Sequence, residues 1–431
     1  MLRPPAAWLI VISYKAQRIG LVSSIQAWCS LEFVPLVTEI GLELETGKEL
    51  RKRALIVKFG QIGDVIMAIP AVYRLREQGF EIHWVCSKSV QPLLEGYSWI
   101  RPIAVEDKPI LLGSFLRRGL NIVHLWKKIG FKSYDLCATL YYDRRYRLLT
   151  LPVRARRWIA LSTKSRATTL VAGRHHTDEY VRVLMGKADG YAEESCAPVR
   201  PDHLPPSPIR TGEHPRRVVL VPGGVQHLIR EQARGHTSEQ ALRRWPIDNY
   251  VALADRLLGR NWEVLLVGAT EDRWVLPHFS GRPITDCLGK LSLPQVLSMF
   301  DECDSVITHD TGPLHLAGLS NVPLIGIFGP TDPATRVPRR SLAVGIWGGQ
   351  GFACRPCYDG REFAPCQFNG CMHQVTPDLV LRELDQLLAD RLSERPRPYR
   401  IVFPEGTAPP KGLALTQVTK IPSAPSLKII R

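Results

Sequence analysis

The sequence predicts an α/β protein of two doubly wound, Rossmann-like domains facing a central cleft, and three observations carry that reading. Short β-branched strands alternate with apolar helical stretches, glycines and polar residues stand where buried strands should end, and a proline-rich stretch divides the series in two. The first series opens with a strand at 54–58, followed by Gly60, Gly63 and Asp64 and an apolar helix, with further strands at 82–86 and 135–141. Prolines 198, 201, 205, 206 and 208 then fall where neither a helix nor a central strand tolerates them, which marks the boundary. Strands follow at 218–221, 264–267, 305–308 and 323–328, with helices at 247–258, 313–319 and 377–392. The expected organisation is an accessory segment at 1–50, a first domain at 51–200, a linker at 201–217, a second domain at 218–392 with a cysteine cluster at 354–371, and a basic, proline-rich tail at 393–431 that reads as a mobile arm.

The chain has 431 residues, 45% of them hydrophobic and 23% charged, the balance of a globular protein with full cores. A formal charge of +15 calls for an anionic partner: nucleic acid, an anionic membrane face or a phosphorylated glycolipid. No Cys/His finger, aromatic RNA-binding motif or basic helix with interleaved aromatics is present, so a basic nucleic-acid-binding protein is the weaker reading. Cys29, Cys86, Cys137, Cys196, Cys287 and Cys303 are scattered singly through apolar segments, as buried thiols in a reducing cytosol. The apolar run 8–13 is too short to span a bilayer. The expectation is a cytoplasmic protein with peripheral contact at a membrane surface.

Four places can carry chemistry. Asp64, after a strand and a glycine turn, either accepts a proton from an attacking hydroxyl or merely caps its helix. Arg243 and Arg244, just before a helix, either bind phosphate oxygens or line a surface turn. Glu271, beyond the strand 264–267, either meets ribose hydroxyls or is a solvated loop acid. Asp310, Thr311, Gly312 and His315 open a helix at a strand tip, where unpaired backbone N–H groups favour a diphosphate; a capped turn without ligand is the competing reading. The glycines before Asp64 are not followed by Lys and Ser or Thr, which excludes a Walker-type loop.

In this order the pieces resemble glycosyltransferase family 9, the heptosyltransferases of lipopolysaccharide core assembly. The likeness rests on Leu55-Ile56-Val57-Lys58 with Gly63-Asp64-Val65 and Pro70, on Arg243-Arg244-Trp245-Pro246, on residues 310–317 and on Phe328-Gly329-Pro330-Thr331-Asp332-Pro333, and it covers roughly 53–390. It implies a GT-B fold, an ADP-heptose donor on the second domain and a lipopolysaccharide inner-core acceptor mainly on the first. Asp64 falls on the family's catalytic base, Arg243 on a diphosphate-binding position that is usually lysine, Glu271 near the ribose-binding acid, Thr311 and Gly312 on the phosphate turn, with Asp310 and His315 lining the pocket. Residues 225–242 lengthen the loop before Arg243. With no Asp-x-Asp triplet, the resemblance implies metal-independent, inverting displacement without a catalytic cofactor.

Cys354, Cys357, Cys366 and Cys371 lie within eighteen residues among turn-forming prolines and glycines, a spacing that can wrap a structural zinc or iron ion, or leave free thiols. The cluster is similar to the four-cysteine iron site of related autotransporter heptosyltransferases, which adds a protein-directed heptosyltransferase as the alternative function.

Overall fold

The computed structural model describes residues 52–106, 114–130, 132–186, 197–209, 216–224, 242–357, 366, 368–393 and 398–404. The accessory segment 1–50, Cys29, Cys196, most of the lengthened loop before Arg243 and most of the tail lie outside them.

The first series runs β1 (Lys52–Val57), α1 (Ile62–Glu77), β2 (Phe80–Ser87), α2 (Gln91–Glu95), β3 (Ile100–Val105), α3 (Phe115–Ile129), β4 (Ser133–Thr139), β5 (Arg154–Ala160) and α4 (His176–Met185). Its strands form one sheet in the order β3-β2-β1-β4-β5, every pair parallel. The second series is β6 (Arg217–Val221), α5 (Ile247–Gly259), β7 (Glu263–Leu266), β8 (Ile284–Asp286), α6 (Leu293–Asp301), β9 (Ser305–His309), α7 (Gly312–Ala317), β10 (Leu324–Phe328), β11 (Ala343–Trp347), α8 (Gly370–His373), α9 (Pro377–Arg391) and β12 (Arg400–Val402). Its sheet is ordered β12-β11-β10-β9-β6-β7-β8, again parallel throughout.

In both sheets the winding reverses beside the first strand, at β1/β4 and at β6/β9, and the crevice beyond such a reversal is where open α/β sheets hold ligands. The strands there are continuous apolar runs because both faces are covered: 54–57 and 218–221 are wholly buried. The inward faces of both sheets, with α1, α4, α6 and α7, join in a single apolar cluster, while Leu125 and Ile129 of α3 cover the outer face of the first sheet and α5 and α9 that of the second.

The proline-rich linker is pinned to both halves. Tyr97 donates its hydroxyl to the Val199 carbonyl at 2.7 Å, and Asp202 accepts from the amide of Ser98 at 2.8 Å. On the other side Arg200 meets Asp301 at 2.9 Å and Ser298 donates to the Pro205 carbonyl at 2.6 Å. The tail differs from its expected role as a free arm: residues 400–402 pair with β11, and Arg400 reaches Glu383 at 2.9 Å and Asp390 at 3.2 Å, so the sheet captures this short stretch through both backbone and charge. No helix among the described residues is long and apolar enough to cross a membrane.

Candidate active site

At the end of β1 the buried Lys58 places its ammonium 3.1 Å from Asp64 Oδ2, 3.3 Å from the Leu140 carbonyl and 4.4 Å from the centre of the Tyr141 ring. Burial by itself would depress that ammonium, but Asp64 and the neighbouring phenols Tyr180 and Tyr141 outweigh it and hold Lys58 above the ordinary lysine range. Burial likewise would raise the Asp64 carboxyl; Lys58 foremost, then Arg336 and His176, keep it well below the carboxylate range. Asp64 is therefore an ionised acceptor at any physiological pH, and its side chain is still 26% exposed. It does not cap α1: the N-cap is Gln61, whose φ of 59° is left-handed, and Asp64 sits in the first helical turn with its carboxylate turned to Lys58.

Opposite it stands the start of α7. The ring of His315 lies so close to Gly63 that a β-carbon there would fall 2.4 Å from its Cδ2, and a β-carbon on Gly312 would meet Ile62 at 3.3 Å. The two helix starts thus meet backbone to side chain, which brings Asp64 to the Asp310–His315 segment. Asp310 accepts from Thr331 Oγ1 at 2.7 Å and pairs with Arg243 at 3.3 Å. Burial would raise its carboxyl, and Arg243, Arg336 and the Thr331 hydroxyl together bring it down to about 2. Burial, with Arg336 and Arg243 added, pushes His315 down to about 4 against the pull of Asp310 and Asp64, so its ring is neutral at pH 7.

Three features were not read from the sequence. Lys58 looked like the end of an apolar strand, although a lysine inside such a run is itself a signal of a buried partner. Arg336 bears electrostatically on Asp64, Asp310 and His315, and its guanidinium donates to His176 Nδ1 at 2.6 Å, which requires the tautomer with its proton on Nε2. Beside it His175 Nε2 lies 3.0 Å from the Val337 carbonyl and Asp178 pairs with Arg339, so the start of α4 is clasped to the loop 336–339 of the second half.

Other expected residues stand differently. Thr311 donates its hydroxyl to the Gly224 carbonyl at 2.7 Å, so what it can offer an anion is its backbone N–H. Helix α7 has only six residues and contributes a small dipole, which leaves arginine charge as the stronger attraction for phosphate. Arg244 lies over the Trp274 ring at 4.8 Å, away from the role paired with Arg243. Glu271 is exposed, whereas its neighbour Asp272 is buried and accepts from the Gly224 and Ala269 amides, each at 2.8 Å, fixing the turn after β6.

Burial first, then the neighbouring Cys357, Cys366 and Cys354, push the Cys371 thiol up to about 12. Yet among the described residues no three His, Cys, Asp or Glu side chains are grouped to hold a metal ion, so the thiols as arranged do not fit the expected zinc or iron. Cys366 Sγ instead accepts from the Asn369 amide at 3.3 Å. The loop braces the turn after β10, with Cys357 N donating to the Pro330 carbonyl at 3.0 Å and Cys371 packed so tightly on Gly329 that a β-carbon there would lie 2.6 Å from its sulfur.

Residues 233–365 match glycosyltransferase family 9 (heptosyltransferase). Lipooligosaccharide heptosyltransferase 2 of Haemophilus influenzae is 29% identical over 154 residues, which is 34% of this chain; the chain spans only 44% of that relative. Lipopolysaccharide heptosyltransferase 1 of Pseudomonas aeruginosa is 24% identical over 379 residues, 83% of this chain and 96% of the relative. The E. coli heptosyltransferase WaaC, solved with ADP-2-deoxy-2-fluoro heptose, superposes with a TM-score of 0.54 over 78% of this chain and 99% of its own at 15% identity, a likeness of fold. Two parallel sheets meeting at their first-strand crevices are the GT-B architecture, and the stretch 233–365 is similar to glycosyltransferase family 9, with lipopolysaccharide heptosyltransferases among the chain's relatives.

Proposed function

We propose that the protein transfers a heptose from an ADP-linked donor to a lipopolysaccharide inner-core acceptor with inversion at the anomeric carbon. The observation that supports this reading most is the convergence of an ionised carboxylate, Asp64, with the Arg243–Asp310 pair where two sheet crevices meet. The acceptor hydroxyl attacks the anomeric carbon as the bond from that carbon to the diphosphate breaks; the hydroxyl proton passes to Asp64 and the electron pair leaves with the nucleoside diphosphate. A carboxylate held so acidic is a weak base, so the proton moves late, when the new carbon–oxygen bond has made the hydroxyl acidic. Arg243 offers fixed charge to the leaving diphosphate, with the Thr311 and Gly312 amides as neutral donors and Glu271 at the ribose. Arg336, from the loop beyond the Thr331 turn, adds positive charge to the same space.

The sugar and base rest on the family and on the ADP-sugar bound in the E. coli relative. Calorimetry with ADP, UDP and GDP tests the donor: ADP binds best in this reading, and a clear preference for UDP or GDP rejects it. Mass spectrometry of lipopolysaccharide from a deletion strain tests the acceptor, where an unchanged core would exclude it.

A further inference from the structure

Helix α3 carries apolar residues on two faces. Leu125 and Ile129 are buried against the first sheet, as an amphipathic helix requires. But Leu116, Leu120 and Val123, at positions i, i+4 and i+7, form a second stripe that is 77%, 71% and 45% exposed. The stripe continues into Lys127, and Arg117 and His124 are exposed alongside it. Trp126 donates its indole N–H to the Leu148 carbonyl at 3.1 Å, which sets next to α3 the short 3-10 helix Arg144–Thr150 where Leu148 is 50% exposed.

Ordinary surface helices do not present leucines outward at helical spacing, and a set of them marks an interaction face. Charge identifies what covers it. Residues 114–160 contain eleven lysines and arginines against two acids, Asp135 and Asp143, and Asp135 is taken up by the Arg53 amide at 2.9 Å and Arg156 at 3.4 Å. A second copy of the chain on this face would set two strongly basic surfaces against each other. An acidic protein groove would neutralise the arginines, but the leucines project as a line along one helix with basic residues beside them, the pattern that lies in the plane of a lipid interface.

We propose that α3 and the adjoining 144–151 segment dock the protein on an anionic phospholipid surface, with Leu116, Leu120 and Val123 entering the acyl boundary and the flanking lysines and arginines meeting headgroup phosphates. The face belongs to the first half of the molecule, and the inference stands independently of the transfer chemistry.

Flotation of the full chain with phosphatidylethanolamine/phosphatidylglycerol vesicles tests it against neutral phosphatidylcholine vesicles. The expected result is binding to the anionic vesicles only, weakened as salt rises, and at least about tenfold weaker for L116E/L120E. The variant should keep the wild-type circular dichroism and ADP affinity, since neither leucine touches the core or the cleft. L116I/L120I, which keeps the apolar stripe, should float as wild type does. Wild-type protein that stays with the soluble fraction, binds neutral vesicles equally, or floats undiminished as L116E/L120E overturns the proposal.

Discussion

Asp64 is both ionised and restrained, and the two properties predict different variants. Asp64→Asn keeps the shape but cannot take the proton, so donor binding should persist while turnover falls about a hundredfold or more; near-normal turnover by the folded variant contradicts the role. Lys58 touches Asp64 and no open space, so it acts as a positioning residue: in Lys58→Met the carboxyl loses its main stabilising charge, and the acid limb of the pH–rate profile should move to higher pH. An unmoved limb would show Lys58 to be structural only. Arg243→Ala should weaken ADP by about 1.5–3 kcal/mol, the scale of a charge-assisted hydrogen bond, as read by calorimetry. His315 gives a pH signature for stability. Its folded pKa of about 4 lies below the ordinary 6.5, so its contribution is present above pH 6.5 and is lost as pH falls towards 4, on the order of 3 kcal/mol. Urea unfolding of His315→Gln should lack that part of the slope.

At the scale of elements, the close approach of α1 and α7 makes Gly63 a joint. Gly63→Ala drives a methyl group into the buried His315 ring and should cost about 1–3 kcal/mol of stability as overpacking does, seen in the urea midpoint, with activity falling as the helix starts separate. These central elements were legible in the sequence because they are long apolar runs ending in glycine: β1, β6, β9 and β10 were all expected within a residue or two of where they lie. The edges were not. β3 contains Pro102 and β5 reads Arg-Ala-Arg-Arg-Trp, neither resembling a core strand, and both owe their pairing to position in the sheet. β8 and β12 have three residues each, too few for any periodicity. The exposed stripe on α3 was hidden for another reason: Leu116, Leu120, Leu125 and Ile129 are all apolar positions of one helix, and only the sheet shows which side is covered.

For the molecule as a whole, motif order foretold the match to glycosyltransferase family 9 and the pairing of two sheets, but not the contacts that join them, which come from residues distant in sequence. His175, His176 and Asp178 on one side meet Arg336, Val337 and Arg339 on the other, and no local pattern marks such a pair. The clasp predicts that Arg336→Ala weakens the union of the halves as well as the charge near Asp64 and Asp310. Its turnover should fall more than ADP affinity does, measured by comparing kcat with calorimetric binding, and an equal fall in both would reduce Arg336 to a donor contact. In the proposed reaction the sugar passes from donor to acceptor across this junction. Purified protein incubated with ADP-heptose and a heptose-deficient inner-core acceptor, followed by mass spectrometry, should yield acceptor heavier by one heptose with equimolar ADP released, and Asp64→Asn should yield almost none; unmodified acceptor with wild-type protein, or equal product from the variant, would contradict it.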